Sequence, residues 1–587
     1  MNRLFLLCPL FVMLAGAQPA TMFPPVRGTR EMVGAGNNFQ VEAGWRMLTT
    51  GGNAVDAGVA GILAATVTEQ SRIGLGGEVP ILIQMAGKPA IAISGVGTAP
   101  ALAIPEFYRA RKPEAWEEPS RMAPIPSIGL KAAIVPGMFD GLILALSQHG
   151  SKSYCEVVQP AIEAAHGFPI PDEYARFIGE LRNFLHLWPA SEQFFLPGGE
   201  PPKRGEIFRS PTLAATLESL CTMEKNAKGD RAAKLQAVRD EFYKGSIGHK
   251  LADFSQANDG LLRYDDLAKF HAEIDKPAVG TYRGYGILKP GFWTQGPVMI
   301  EALNILERFD LKAMRHNSPE YLHTVIEALK LAFADRDRYY GDPKFSKIPA
   351  EALLSKEYAA ERAKLIDSEH ASIEHRPGNL GGPMALAANT HGASIDHDTT
   401  CINVVDRFGN VFSATPSGAW LPSVIAGDTG IPYSMRLESF VLTAGHANLL
   451  APGKRPRVTL SPTIVLKDGK PWLAMSTPGG DNQDQAMLQV LLNLIDFGMS
   501  PQEAVEVPRL QTEHFYASFG NHEFSPGRVN IESRIPEATA KKLLDKGHRL
   551  AILGPWSNGS APTVIRIDNG VLDGGADPRR SRFIFGR

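Results

Sequence analysis

Residues 398–410, Asp-Thr-Thr-Cys-Ile-Asn-Val-Val-Asp-Arg-Phe-Gly-Asn, constrain this chain more than any other stretch. Two threonines stand at the mouth of a β-branched run, Ile402 to Val405, and Gly409-Asn410 marks a turn. A second strand, Val411 to Thr415, leaves that turn, so the unit reads as a hairpin. A threonine that leads a strand is ordinarily a good strand former and nothing more. The surroundings change that reading. Just upstream, Pro377-Gly378-Asn379-Leu380-Gly381-Gly382-Pro383 has little periodicity and reads as a mobile loop. A flexible segment ending at the Asp398–Thr399 bond is what self-cleavage there requires sterically. A threonine hydroxyl is a poor nucleophile without a base, but a threonine that begins a chain carries one in its own α-amino group. That amine has a pKa of about 7.7–8.0, low enough to be partly neutral at working pH. Thr399 is therefore read as a new N-terminus made by cleavage between Asp398 and Thr399, and then as a nucleophile.

An oxyanion partner for such a nucleophile is visible downstream. Thr463 to Lys467 and Lys470 to Ser476 flank Asp468-Gly469, a two-residue hairpin signal. The second strand empties into Thr477-Pro478-Gly479-Gly480, and a helix is expected from about Asp481 to Phe497. Backbone N–H groups of Gly479 and Gly480 before that helix can face a developing oxyanion. By itself Pro-Gly-Gly before a helix is more often a tight turn.

The remaining chain predicts a mixed layered enzyme. Glycines 51 and 52 end one helix and Asn53 N-caps the next, which is rich in Ala, Gly and Val through Thr66 and can pack closely on a sheet. Gly74-Leu75-Gly76-Gly77 reads as a tight turn before a strand from Pro80 to Met85. Ser318-Pro319-Glu320 starts a helix that Gly341-Asp342-Pro343 stops. A third hairpin turns at Asn569-Gly570. No internal repeat or low-complexity linker marks a second independent domain.

Composition excludes some classes. With 587 residues, 44% hydrophobic and 21% charged, the chain has ample material for a core, and a net charge of −2 leaves no basic excess for nucleic acid. The cluster Arg579-Arg580-Ser581-Arg582 reads as a solvated or salt-bridged tail. Arg3, the apolar run Leu4 to Leu14 and the small residues Ala15-Gly16-Ala17 fit a secretory signal peptide over residues 1–17, too short for a membrane span. No other run reaches spanning length, so the expected product is exported, periplasmic or secreted, and does not span a membrane. The later cysteines, Cys155, Cys221 and Cys401, allow one bridge at most. His391 and His397 lie beside Asp396 and Asp398 in a loop without recurring ligand spacing, so neither a metal nor any other cofactor is expected.

Read together, Thr399-Thr400, Val404-Val405-Asp406 and Gly409-Asn410 resemble the start of the small subunit of the γ-glutamyltransferase (glutathione hydrolase) family. Gly51-Gly52-Asn53-Ala54-Val55-Asp56-Ala57, Val135-Pro136-Gly137, Tyr282-Arg283-Gly284-Tyr285, Ala334-Asp335-Arg336, Gly341-Asp342-Pro343, Ser461-Pro462-Thr463, Pro478-Gly479-Gly480 and Asp577-Pro578-Arg579 fall in that family's order across nearly the whole chain. The resemblance implies an α+β N-terminal-nucleophile hydrolase, a four-layer αββα sandwich built from residues 18–398 and 399–587 as one catalytic domain. It implies Thr399 as nucleophile, Ser417 as a hydroxyl assisting it, and Gly479 and Gly480 as the oxyanion hole.

The substrate-reading positions depart from the family. Val96 stands where the family places an arginine for the substrate α-carboxylate, and valine cannot imitate a bidentate guanidinium contact. The residues that would hold the α-amino group align with Arg436 and Ser439, and an arginine there repels an ammonium. Val458 and Thr459 replace a serine pair, Ala419 replaces an asparagine, and Val441 to Pro456 is shorter than the family's lid stretch. Arg436, Ser439 and Thr459 are the candidate substrate contacts, with Arg457 and Arg72 as further candidates for an anionic group, each arginine also readable as a surface or structural one. Three functions follow: γ-glutamyl transfer or glutathione hydrolysis; an acylase or amidohydrolase of the same family acting on another small amide; or an unprocessed protein that only binds a ligand or partner.

Overall fold

The computed structural model describes residues 21–386 and 399–587. The signal-peptide reading at 1–17, the loop at 391–397 and Asp398 lie outside the described residues. Three two-residue turns reverse strands, two of them where the sequence marks them and the third at Arg283-Gly284. Arg283-Gly284, Asp468-Gly469 and Asn569-Gly570 each hold both central residues at positive φ, from 47° to 85°. That is the backbone a tight hairpin requires. The turn after Ile402–Val405 is held by a side chain instead: Asp406 Oδ1 accepts the N–H groups of Phe408 and Asn410 at 2.8 and 3.0 Å. Its other oxygen accepts the N–H of Ala54 at 2.9 Å. One carboxylate thus closes the hairpin and caps the helix Ala54–Thr68, whose N-cap Asn53 forms a capping box with Asp56.

Two seven-stranded sheets result. The first runs in the order Val26–Gly28, Val571–Ala576, Thr563–Asp568, Lys470–Ser476, Thr463–Lys467, Tyr285–Lys289 and Ala278–Tyr282. The second runs Phe583–Gly586, Met32–Ala35, Ile402–Val405, Val411–Ala414, Val79–Gln84, Ile91–Gly95 and Glu273–Asp275. Each sheet combines strands from before and after Thr399.

The β-branched run is apolar on both faces because both faces are covered. Ile402, Val404, Phe412 and Ala414 join the core formed with the helices, whereas Val405 and Val411 join a cluster with Ile464, Ala474 and Ile565 of the other sheet. Between the sheets, Asn403 Nδ2 donates to Thr563 Oγ1 at 2.8 Å and Ser413 Oγ to the Met475 carbonyl at 3.3 Å. On the outer side, a Cβ at Gly58 or Gly61 would overlap Phe412 or Ile402, so glycine sets how closely Ala54–Thr68 rides on the hairpin. Helices Pro297–Leu306 and Gln483–Ile495 pack on the other sheet. The expected long helix at 481–497 opens instead with a 3-10 turn, Gly480–Asn482, before Gln483.

Cys155 and Cys221 form the single bridge the cysteine count allows, and Cys401 is buried and free. Of the two readings of the arginine cluster the salt-bridged one holds: Arg579 is buried against Glu532 and Asp577, and Arg582 donates to the Ala561 and Gly36 carbonyls. No helix among the described residues is long and apolar enough to cross a membrane.

The loop expected to be mobile is anchored where it is described. Gly378 donates to Asp335 and accepts from Tyr339, both at 2.6 Å, because those buried polar groups need partners. Its approach is held by histidines. His323 Nε2 meets the Asp367 carbonyl at 2.7 Å and its Nδ1 meets His548 Nε2 at 2.8 Å. His514 Nε2 meets the Glu374 carbonyl at 3.0 Å while its Nδ1 accepts from Gly527 N–H at 2.8 Å. Gly527 N–H donates to His514 Nδ1, so that nitrogen must remain unprotonated while Nε2–H serves the carbonyl. Burial, with Lys330 and other cations nearby, pushes His514 down to about 4 and His548 to about 2 from an ordinary 6.5. Below pH 6.5 the unfolded chain binds protons that the native histidines refuse, so stability falls with pH until the native pKa is reached. The expected outcome is unchanged stability from pH 8 to 6.5 and a loss of about 1.4 kcal/mol per pH unit for each such histidine from there toward pH 4. Denaturant melts across that range check it, with proteolysis in 367–378 accelerating in parallel; a flat profile would contradict the assignment.

Candidate active site

Thr399 enters the fold through backbone pairing. It bridges Ser417 in antiparallel register, and Thr400 N–H donates to the Pro416 carbonyl at 3.2 Å. Ser417 in turn exchanges both backbone hydrogen bonds with Glu78, each at 2.9 Å. Ser417 is thus clamped between Thr399 and Glu78, and its Oγ lies 3.1 Å from Thr399 Oγ1. Both side chains are buried. Thr400 Oγ1 points elsewhere, accepting from Gln40 Nε2 at 3.4 Å. Cys401, the other nucleophilic side chain of the stretch, is buried with its thiol pushed up by desolvation and sits 3.6 Å from Thr563 Oγ1, so it offers no thiolate.

The glycine-tight crossing at 74–77 makes this pairing possible. Gly77 N–H closes the turn onto Gly74 at 2.8 Å, as the sequence predicts. A Cβ on Gly76 would overlap the Pro432 carbonyl, and one on Gly77 the Ser417 carbonyl. Backbone therefore passes against backbone where only hydrogen atoms fit.

Gly479 and Gly480 follow the strand Lys470–Ser476, which packs directly on the hairpin; Gly479 at φ 121° suits glycine alone, and Gly480 is left-handed at 53°. A Cβ on Gly479 would also overlap the Ser560 side chain. The Gly479 carbonyl accepts from Asn482 N–H at 2.9 Å. Since the N–H and C=O of one peptide are antiparallel, Gly480 N–H is turned out of the loop. Gln295 Nε2 holds the Gly480 carbonyl at 3.1 Å, and Arg336, ion-paired to Asp481, holds the next residue. A cavity of about 770 Å³ opens on this pair, lined also by Asp481, Asn482, Phe515 and Phe519.

Arg436 joins Thr399 and Ser417. It is fully buried, with Nε 2.5 Å from Glu78 Oε1 and Nη2 donating to Ser417 Oγ at 3.1 Å. Arg436 Nη1, Ser439 Oγ and Thr459 Oγ1 are buried polar atoms without a hydrogen-bond partner among the described residues. The start of the shortened stretch, Val441 and Leu442, lines a second cavity of about 380 Å³ together with Glu438 and Phe440.

The other candidate arginines are committed elsewhere, and neither is a surface residue. Arg72 pairs with Glu69 at 3.4 Å and with Glu173. Arg457 donates to Ser518 at 2.9 Å and lies 3.8 Å from Asp337. Val96 sits in an apolar cluster with Trp293, Val458 and Leu460, so the replacement extends to its neighbours. Sequence reasoning missed Glu78 and Ser434, whose hydroxyl donates to Glu78 Oε2 at 2.9 Å. The only local signal was an acid directly after Gly76-Gly77, ahead of an apolar strand. Among the described residues no group of three His, Cys, Asp or Glu side chains is placed to hold a metal ion.

Comparison with known proteins matches the chain to one family. The Gamma-glutamyltranspeptidase family model matches residues 41–586. An Acylase ACY 1 proenzyme of Pseudomonas sp. (strain SE83) is 34% identical over 556 residues, 94% of this chain and 92% of that protein. The Glutathione hydrolase proenzyme of Escherichia coli (strain K12) is 32% identical over 576 residues, 95% of this chain and 92% of its own length. The crystal structure of cephalosporin acylase from Bacillus halodurans superposes with a TM-score of 0.83 at 28% identity, covering 99% of both chains. By family model, extended identity and fold, this chain belongs to the gamma-glutamyltranspeptidase family.

Proposed function

We propose that this chain is a proenzyme that cuts its own Asp398–Thr399 bond and then cleaves an amide through an acyl-enzyme on Thr399. The observation that carries this reading is Thr399 Oγ1 lying 3.1 Å from Ser417 Oγ at the mouth of the hairpin. In self-cleavage the Thr399 oxygen adds to the Asp398 carbonyl carbon, and the C–N bond breaks as the nitrogen takes a proton. Water then hydrolyses the resulting ester, leaving a carboxylate on Asp398 and a free amine on Thr399. In turnover that amine accepts the Thr399 hydroxyl proton as the oxygen adds to the substrate amide carbon. The N–H groups of Gly479 and Gly480 receive the oxyanion. The amine product departs with the proton, and water or an acceptor amine releases the acyl group.

On this reading residues 18–398 and 399–587 form a four-layer αββα sandwich as one catalytic domain, exported after removal of 1–17. Shared sheets support the retention of both pieces after the cut. The family resemblance points to γ-glutamyl transfer or glutathione hydrolysis. The apolar setting of Val96, and an arginine at 436 that offers an ammonium no acceptor, favour a second reading, an acylase acting on an amide without the γ-glutamyl α-ammonium.

Two outcomes are expected. Purified wild-type protein should run as two bands on a denaturing gel and Thr399→Ala as one; a single full-length wild-type band would leave only the ligand-binding alternative. Glutaryl- and γ-glutamyl-p-nitroanilide differ by one ammonium, and kcat/KM for the former should exceed that for the latter by about 100-fold. Preference for the γ-glutamyl compound would return the chain to the glutathione-hydrolase reading.

A further inference from the structure

We propose that Arg436 and Glu78 form a positioning pair that holds the Ser417 hydroxyl beside the Thr399 oxygen. This rests on Thr399 being the nucleophile. The connections close a ring. Ser417 and Glu78 exchange backbone hydrogen bonds at 2.9 Å, the Glu78 carboxylate binds Arg436 Nε at 2.5 Å, and Arg436 Nη2 returns to Ser417 Oγ at 3.1 Å. Ser434 Oγ occupies the second carboxylate oxygen at 2.9 Å. The guanidinium is held between two rings, its Cζ 4.5 Å from the Trp420 centroid and 5.3 Å from that of Phe519. Gly418, at φ 102°, lets the Glu78 carboxylate lie against the chain, because a Cβ there would overlap it.

The direction of the Ser417 hydrogen bond follows from donor chemistry. A guanidinium has no acceptor, so Ser417 Oγ accepts from Nη2. That bond fixes where Ser417 Oγ sits, 3.1 Å from Thr399 Oγ1. A hydroxyl held at that distance can hydrogen-bond to the nucleophile's oxygen as its proton leaves and stabilise the negative charge that builds there. Arg436 is thus assigned to the nucleophile rather than to the substrate.

The test is a double-mutant cycle on the full chain, read as kcat and KM on whichever of the two anilides the wild type turns over, and as the rate of conversion to two pieces. Glu78→Gln with Arg436→Met removes the ring without leaving a lone buried charge. It should lower kcat by about 100-fold with KM changed less than about threefold. Arg436→Lys, which keeps a donor and a cation beside Glu78, should recover most of the rate. In a Ser417→Ala background the same change should cost less than about twofold further, because the pair acts through Ser417. An equal loss in both backgrounds would mark a general structural role, and a raised KM at constant kcat a substrate contact; either overturns the positioning role, as does an undiminished rate. If the double substitution prevents folding, Arg436→Lys alone is carried through the cycle, and a loss independent of Ser417 overturns the pair. A wild type that never splits sinks the Thr399 reading, whereas a split, active wild type indifferent to Arg436 sinks only this one.

Discussion

The antiparallel pairing of Ile402–Val405 with both Met32–Ala35 and Val411–Ala414 is the interaction on which the structure depends. It places the segment that follows Thr399 in the middle of a sheet, with a strand from the other side of the proposed cut on its flank. The hairpin's second strand pairs in turn with Val79–Gln84, the strand that Glu78 immediately precedes. A break at Thr399 would therefore free one chain end without freeing a strand. Its two faces are equally committed, one to Ala54–Thr68 and the other to the opposing sheet. The α-amine that self-cleavage would create is thus delivered at the end of a fully supported strand.

Charge inside the site is arranged at a cost, since a buried ion pair gives up hydration that its attraction only partly restores. Arg436 and Glu78 recover part of it through Ser434, Ser417 and the rings of Trp420 and Phe519. The position that in γ-glutamyl enzymes reads a carboxylate has gone the other way, into the apolar contact of Val96 with Trp293, Val458 and Leu460. The nearby Arg455 guanidinium stands 5.2 Å from the Trp293 ring and is bound to Asp342 at 3.1 Å. With an arginine committed to Glu78 at one substrate-reading position and a valine in apolar contact at another, family membership alone does not name the acyl group.

Much of the scaffold was legible because its determinants are local. Asn53, Ser318 and the Asp-Gly and Asn-Gly turns act within a few residues of themselves, and the alternation of the hairpin is a property of consecutive side chains. The loop at 377–383 was misread for the opposite reason: the partners that hold Gly378, Asp335 and Tyr339, lie on a helix some forty positions earlier. Arg72 and Arg457 were offered as possible anion contacts for the same reason, since nothing in the chain near them reveals Glu173 or Ser518.

By itself the sequence determined the family, through motifs in one family's order, and pointed to a candidate centre: a threonine at the head of a β-branched strand and a Gly-Gly turn before a helix. Only the tertiary structure decided what surrounds that centre. Glu78, Ser417, Ser434 and Arg436 come from three separate segments, and no spacing along the chain encodes their meeting. Hydrogen-bond direction is likewise a three-dimensional property. A serine reads the same in sequence whether it donates or accepts, and here a guanidinium that can only donate makes Ser417 an acceptor toward Arg436.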